Sequence, residues 1–172
     1  MSAGDRDRWI RGLRATRAYT NDPIPDDLLK RILEAGRWTG SSLNSQPWTF
    51  VVLTEPEAKE ALAATGKFSS HIASAAVAVV LVGEPNRGEF DLGRAAQNMM
   101  LTAWGEGIVS CPNGIPDTEG AAAALGLSPD EQPLVVLSFA YPARPRDPAA
   151  RSAKEWSQRA DRKPLEEIVE RV

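Results

Sequence analysis

The sequence predicts a mixed β-sheet flanked by helices and folded as one domain. Apolar segments of strand character alternate along the chain with segments of helical periodicity, which is typical of a sheet covered by helices. A chain of 172 residues can build one hydrophobic core of useful size but not two. Neither an internal repeat nor a low-complexity linker divides the sequence, so residues 1–172 are expected to form a single unit.

The first third of the chain contains signals for two helices and one strand. Residues 25–38 place four leucine and isoleucine side chains at helical spacing, and two aspartates near the start favour the positive end of a helix dipole. Residues 49–53 are β-branched and aromatic and predict a strand. Pro56 then introduces a short helix over residues 55–64.

The middle of the chain contains its most apolar segments. Residues 75–82 show no polar alternation and predict a strand that is buried on both faces. Residues 91–106 place leucine, alanine, methionine and tryptophan side chains along one broad stripe, which predicts a central amphipathic helix. Gly107 is the glycine expected at the C-terminal end of this helix.

The last third of the chain begins with a turn-like segment. Residues 111–117 are rich in turn-forming residues and predict a turn, after which an alanine-rich helix is expected to end at Leu125. Residues 134–141 predict another buried strand. The tail, residues 142–172, is rich in charge and proline and ends in a short helical segment after Pro164. Its polarity suggests that it does not pack entirely on its own domain.

Composition and charge exclude several classes of function. The net charge of -3 leaves no basic surface for nucleic acid. The longest apolar run, residues 77–82, is much shorter than the ~20 residues of a membrane span. The arginine-rich N-terminus lacks the apolar core of a signal peptide. The protein is therefore expected to be cytoplasmic, with no nucleic-acid or membrane partner.

The chain has one cysteine and one histidine. Cys111 cannot form an internal disulfide, and together with His71 it matches no familiar spacing of metal ligands. Neither a zinc site nor a Cys–His nucleophile is expected. Cys111 is therefore interpreted as a small hydrophobic residue, and His71 as an ordinary loop or helix-end residue.

Three stretches contain more polar side chains than packing requires: residues 14–19 (RATRAY), 41–48 (SSLNSQPW) and 161–167 (DRKPLEE). Arg14 and Arg17 are three residues apart, so a helical or turn-like backbone would project both guanidinium groups to one side, where they suit a phosphate. The alternative is a solvated arginine face. For the second stretch, the alternative is that Asn44 and Gln46 only satisfy backbone groups around the Pro47 turn.

Taken together, several motifs resemble one family. In chain order they are the helix ending in RW, the loop WTGSSLNSQPWTFVVL, the helix DLGRAAQNMMLTAWGEGI, the SCPNGI turn, the strand PLVVLSFAYP and the ending RKPLEEIV. From about Arg14 to the C-terminus, their order and spacing resemble the nitroreductase family of FMN-dependent oxidoreductases. The resemblance implies an α+β fold, with a central mixed, mainly antiparallel sheet flanked by helices, and an intertwined homodimer.

The resemblance also implies which residues bind FMN, without a covalent bond. Arg14, with the backbone of Ala15, corresponds to the N-terminal phosphate and ribityl site. Arg17 corresponds to the cation beside N1 and O2 of the flavin. Arg162, with Lys163, corresponds to the C-terminal phosphate ligand.

Two further segments complete the implied site. Ser41, Ser42 and Asn44 correspond to the loop that reaches the flavin from the partner subunit. Asn113 and Gly114 correspond to the turn whose backbone N–H groups face N5 and O4. No metal and no catalytic side chain is implied, because the hydride chemistry belongs to flavin N5.

The implied activity is hydride transfer from NAD(P)H through FMN to a small electron-poor acceptor, such as a nitroaromatic compound, a quinone or an enone, in a ping-pong cycle. A cation beside N1 and O2 favours reduction, and backbone donors at N5 and O4 fix the ring. Two alternatives stay open. One is a specialised flavin enzyme, for reductive dehalogenation or flavin fragmentation, and the other is a flavin store or redox sensor without efficient turnover.

The sequence departs from the family pattern at three positions. Gly40 stands where proline is usual before the serines, Ala15 where serine is common, and Ala160 where a second basic residue is common. Phosphate binding is therefore expected to be weaker or to use Arg159. The chain is also short for the family, so helices that would cover the substrate pocket have little room. Residues 142–172 are expected to be an extension that wraps the partner subunit.

Overall fold

The structure is a computed structural model and describes residues 3–85, 87–158 and 160–172. Helices and strands alternate along the chain, as the sequence predicts. In chain order they are α1 (Ala3–Gly12), α2 (Asp26–Arg37), β1 (Thr49–Leu53), α3 (Pro56–Ala63), α4 (Ser70–Ala73), β2 (Val77–Gly83), α5 (Glu89–Gly105), β3 (Val109–Gly114), α6 (Thr118–Leu125), β4 (Gln132–Ala140) and α7 (Ala153–Gln158). Single turns of 3-10 helix lie at Ser42–Asn44, Pro148–Ala150 and Leu165–Glu167.

The four strands form one sheet in the order β1-β2-β4-β3, and all neighbouring strands are antiparallel. Val80 at the middle of β2 lies opposite Val51 of β1 and Val136 of β4. Two isolated bridges lie outside the strands in the described part of the chain: Ala15–Ser110 is parallel, and Tyr19–Pro142 is antiparallel. The predicted α+β fold with a mainly antiparallel sheet flanked by helices is confirmed.

The two faces of the sheet pack against different helices. On one face, Val79 and Leu81 of β2 belong to a core cluster with Ile32 of α2 and Met99 of α5. On the other face, Val80 packs in a second cluster with residues of α3, α4 and α6. Because side chains alternate between the faces of a strand, β2 must be apolar throughout, as the sequence predicts.

Helix α5 is the central helix of the domain. Its buried residues recur at positions 92, 95, 96, 99, 100, 103 and 104, which is the predicted stripe. Gly107 follows the helix with a φ of 77°, a left-handed conformation that glycine adopts readily. Gly36 allows α2 to approach α5 closely, because a Cβ at this position would overlap with the Met99 side chain.

The structure corrects the prediction of a turn over residues 111–117. Up to Gly114 these residues belong to strand β3, in which Asn113 lies opposite Val136 of β4. Local composition favours a turn here, but pairing with a long neighbouring strand determines the conformation. Pro112 is tolerated because β3 is an edge strand.

The polar tail packs on its own chain for part of its length. Helix α7 contacts α1, and its Trp156 ring is 6% exposed and lies edge-on to Trp104, with ring centroids 6.0 Å apart. The prediction that the tail does not pack entirely on its own domain is compatible with this docking of α7. Residues 161–172 are all exposed, and their contact with a partner subunit stays a prediction.

We expect Trp156→Ala to lower the free energy of unfolding by about 3 kcal/mol, since it empties a buried aromatic site between α1 and α7. Urea unfolding at one fixed protein concentration measures this change. Leu165→Ala is the matched control, because Leu165 is 69% exposed and its loss should change stability by no more than about 0.5 kcal/mol. Equal stabilities of the two variants would show that α7 is not docked.

Candidate functional site

Residues 14–19 form an extended connection beside the sheet. Ala15 bridges to Ser110 of β3, and the Thr16 N–H donates a hydrogen bond to the Ser110 carbonyl at 3.0 Å. The predicted helical or turn-like backbone, with both guanidinium groups on one side, is therefore wrong. The backbone is extended here because pairing with the edge of β3 satisfies backbone hydrogen-bonding groups that an isolated turn would leave unpaired.

Tyr19 fixes the far end of this connection. Its hydroxyl donates to the Thr16 carbonyl at 2.6 Å and lies 2.8 Å from the Ser138 hydroxyl on β4. Burial is the main cause that raises the pKa of Tyr19 to about 12, and the hydrogen bond with Ser138 partly offsets it. The phenol therefore stays protonated at neutral pH, and the backbone on both sides of Arg17 is held against the sheet.

Arg17 lies at a cavity of about 470 Å³, which we call the Arg17 cavity. The other lining residues come from α4 and its flanking residues: Lys67, Phe68, Ser70, His71 and Ser74. Among the described residues, neither Arg17 nor Lys67 forms a salt bridge. Since no carboxylate among the described residues offsets these two cations, the cavity has a positive potential that suits an anionic or carbonyl-rich ligand.

His71 has an environment that the sequence did not reveal. It lies in α4, as expected for a helix-end residue, but it is only 5% exposed. Burial, followed by the charge of Arg17, lowers the pKa of the imidazole, while a hydrogen bond with the Phe68 backbone raises it. The buried Nε2 atom has no hydrogen-bond partner in the described part of the chain, a situation that costs roughly 1–3 kcal/mol. The position of His71 at a helix end agrees with the sequence analysis, whereas its burial and its unpaired Nε2 were not predicted.

Arg14 and Arg162 line a second cavity of about 390 Å³, which we call the Arg14 cavity. The Arg14 guanidinium donates to two backbone carbonyls within residues 11–13, both at 2.7 Å, and to the Trp156 carbonyl at 3.3 Å. Burial, followed by the charges of Arg162 and Arg146, lowers the pKa of Arg14. An anion in this cavity would relieve the repulsion between the guanidinium groups.

The other residues predicted near the phosphate do not all line the Arg14 cavity. Ala15 contributes its backbone to the bridge with Ser110, and Ala160 lines the Arg14 cavity. Lys163 is exposed and does not line either of the two cavities. Arg159, the expected substitute ligand, lies outside the described residues.

Ser41, Ser42 and Asn44 lie in a loop with an unusual backbone. The φ angles of Leu43, Asn44 and Gln46 are 51°, 56° and 47°, in the left-handed region that residues other than glycine seldom adopt. The Ser41 hydroxyl accepts a hydrogen bond from the Gln46 N–H at 2.8 Å, and the Gln46 side chain donates to the Asn44 carbonyl at 3.4 Å. These bonds hold the loop in one shape.

The loop is anchored to the start of α5. The Ser42 N–H donates to the Asp91 carboxylate at 3.3 Å, and Arg94 donates to the Gly40 carbonyl at 2.8 Å. Three large apolar side chains around the loop are exposed: Trp38, Leu43 and Phe90. Exposed apolar side chains beside a rigid loop are typical of a contact surface.

The loop and the Arg17 cavity lie at opposite ends of β2. Ser74, which lines the cavity, shortly precedes the first residue of β2. The loop instead leads into β1, where Thr49 pairs with Val82 near the other end of β2. The seven residues of β2 separate its ends by roughly 20 Å. One chain therefore does not bring Asn44 and Arg17 to the same small ligand.

Asn113 and Gly114 lie at the end of the edge strand β3. The Asn113 side-chain amide donates to the Gly114 carbonyl at 2.8 Å. Within the described residues, the outer edge of β3 is paired only through the bridge at Ser110. Backbone groups at the Gly114 end can therefore bind a ligand, even though they belong to a strand and not to the predicted turn.

The residues that the structure describes contain no group of three or more His, Cys, Asp or Glu side chains that could hold a metal ion. No helix in the described ranges is long and apolar enough to cross a membrane. Burial raises the pKa of the Cys111 thiol, with a smaller opposite effect from Arg17, which agrees with its interpretation as a small hydrophobic residue.

The chain is similar to relatives over different shares of its length. It is 39% identical over 71 residues to "NADH dehydrogenase" of Thermus thermophilus, a match that spans 41% of this chain and 35% of that protein. It is 27% identical over 145 residues to a protein of Archaeoglobus fulgidus. That protein is provisionally named NADH dehydrogenase/NAD(P)H nitroreductase. The second match spans 78% of this chain and 83% of the relative.

The fold is also that of a solved structure. A protein from Desulfovibrio desulfuricans, provisionally named a nitroreductase and crystallised in complex with FMN, superposes with a TM-score of 0.81 at 24% identity. The superposition covers 98% of this chain and 96% of that chain. The model of the nitroreductase family matches residues 10–76 and 63–141, which together make up most of the sequence. The chain therefore belongs to the nitroreductase family.

Proposed function

We propose that this chain is the subunit of an FMN-dependent oxidoreductase that uses NAD(P)H to reduce a small electron-poor acceptor. The observation that carries the proposal is the placement of Arg14, Arg17 and Arg162 at two cavities. The extended backbone puts Arg14, with Arg162, at one cavity and Arg17 at the other. The names of the two relatives, and the FMN bound in the similar structure, support the same chemistry.

The residues present fit FMN at both of its polar ends. Arg14 and Arg162 offer planar guanidinium groups to a phosphate monoester, whose charge offsets their mutual repulsion. Arg17 stabilises negative charge on the N1 and O2 edge of the ring. Asn113 and Gly114 offer backbone groups to N5 and O4. When bound, the flavin supplies hydride transfer between NAD(P)H and the acceptor.

A second subunit completes each site. Ser41, Ser42 and Asn44 lie at the far end of β2 from the Arg17 cavity of their own chain, so they reach a flavin only in a partner. The exposed apolar side chains around the loop would then be buried at the interface. We therefore propose a homodimer with two equivalent FMN sites, in which each loop serves the opposite subunit.

The purified protein should be yellow and should release FMN, not FAD, on denaturation. The reason is that Arg14 and Arg162 line one cavity, where they would bind the phosphate monoester of FMN. Chromatography of the released flavin identifies the cofactor, and NADH or NADPH oxidation with a nitroaromatic or quinone acceptor measures turnover. Release of FAD, or failure to bind FMN after reconstitution, would contradict the proposal. FMN binding without turnover would instead favour a flavin store or redox sensor.

A further inference from the structure

His71 combines deep burial with an unused hydrogen-bonding atom. It is 5% exposed, it lines the Arg17 cavity, and its Nε2 has no hydrogen-bond partner among the described residues. Buried polar atoms in folded proteins are nearly always paired, with protein, water or a ligand. Trp104 Nε1 and Ser110 Oγ are also buried without a partner among the described residues, but neither residue lines the Arg17 cavity. At this cavity, the unpaired His71 Nε2 therefore indicates a missing partner.

The protonation state of His71 determines what kind of partner fits. Burial and the neighbouring Arg17 lower the pKa of the imidazole, so the ring is neutral at physiological pH. The hydrogen bond with the Phe68 backbone raises the pKa, as expected when a ring N–H donates to a carbonyl. The unpaired Nε2 is then the nitrogen with the free lone pair. It can only accept a hydrogen bond.

The lining of the cavity provides a mixed set of donors and acceptors. Arg17 and Lys67 can only donate, while the two serine hydroxyls can do either. His71 Nε2 is the buried acceptor next to these cations. A ligand edge that alternates carbonyl, N–H and carbonyl matches an acceptor flanked by donors. The pyrimidine ring of a flavin has this pattern at C2=O, N3–H and C4=O.

We propose that His71 is a cofactor-binding residue whose Nε2 accepts the hydrogen bond from flavin N3–H, beside the cation that Arg17 provides at C2=O. The proposal rests on FMN as the cofactor and assigns to this histidine the recognition of the pyrimidine edge. It also explains why a neutral acceptor lies in a cavity with two cations. If His71 were protonated, it would be a third cation in this cavity and could not accept a hydrogen bond from N3–H.

The test compares FMN with 3-methyl-FMN, which lacks the N3–H donor. The dissociation constants of both flavins are measured by fluorescence titration of the apoprotein, for the parent and for His71→Phe, His71→Gln and Ser70→Ala. In the parent, N3-methylation should weaken binding roughly tenfold, as expected for the loss of one hydrogen bond to a buried acceptor. His71→Phe fills the same space without an acceptor, so its two dissociation constants should differ less than about threefold.

The other variants make the comparison specific. His71→Gln keeps an acceptor and should retain most of the discrimination. Ser70→Ala removes a hydroxyl from the same cavity and should discriminate as the parent does. If His71→Phe discriminates between the two flavins as strongly as the parent, the proposed role is wrong. A parent protein that binds neither flavin would instead contradict the proposed function itself.

A measurement on the parent alone covers the case in which His71→Phe does not fold. Lowering the pH protonates His71 and removes its acceptor, so the preference for FMN over 3-methyl-FMN should shrink below the ordinary histidine pKa range. Arg17 and Lys67 are the charged groups that line the same cavity. The Cys111 thiol lies near Arg17, and burial raises its pKa, so it does not ionise as the pH falls. The flavin phosphate titrates equally in both ligands. A preference that does not change with pH would overturn the proposal.

Discussion

A mixed dimer with one Arg17→Ala subunit and one Asn44→Ala subunit should have about half of the parental activity, although each variant homodimer is nearly inactive. In the proposed dimer, each site takes Arg17 from one chain and Asn44 from the other. The mixed dimer therefore has one site with both substitutions and one site with neither. Co-expression with two different tags isolates this species, and NAD(P)H oxidation with a quinone acceptor measures it.

The matched control carries the same two substitutions in a different arrangement. A dimer of one Arg17→Ala/Asn44→Ala chain and one parental chain has a single lesion in each of its sites, so it should be nearly inactive. If both residues instead act within one chain, the two results exchange. The half-active species would then be the control, and the separation of the loop from the Arg17 cavity by the length of β2 would have no functional meaning.

The second large effect is expected at the phosphate end of the site. Arg162→Ala should raise the dissociation constant of FMN roughly 10- to 100-fold, because a hydrogen bond to a charged group contributes about 1.5–3 kcal/mol. Arg162 is preferred over Arg14 for this measurement, since Arg14 also bonds the Trp156 carbonyl and its loss would disturb α7. Fluorescence titration of the apoprotein gives the constants directly.

Arg17→Ala distinguishes the role of the residue at the flavin ring from the roles of the residues at the phosphate. It should lower the midpoint reduction potential of bound FMN, since a cation next to N1 and O2 stabilises added negative charge. Arg162→Ala at saturating FMN should leave this potential nearly unchanged. Arg87→Ala, which removes a surface guanidinium paired with Glu84 at 2.7 Å, is the control for net charge and should alter neither quantity. An unchanged potential in Arg17→Ala would show that Arg17 does not face the ring.

The main elements could be predicted from the sequence because local pattern and tertiary environment agree in them. The unbroken apolar run of β2 matches its position inside a sheet with helices on both faces. The stripe on α5 and its terminal Gly107 likewise follow from helical periodicity. These elements form the core, where burial determines which residues are allowed.

The site was less predictable, because its geometry depends on contacts distant in the sequence. Arg14 and Arg17 would share one face of a helix, but pairing of Ala15 with Ser110 extends the backbone and separates their cavities. His71 is buried where α4 packs against α3, a contact that no local pattern encodes. A histidine close in sequence to Lys67 and to a buried strand was the available signal.

The Arg14 cavity joins residues from the two ends of the described chain, since Arg14 follows α1 and Arg162 lies beyond α7. Arg14 also bonds the Trp156 carbonyl, so the same guanidinium holds the tail and faces the cavity. Docking of the tail and occupancy of the cavity are consequently coupled equilibria. Any anion that binds there strengthens tail docking by the same factor by which tail docking strengthens anion binding.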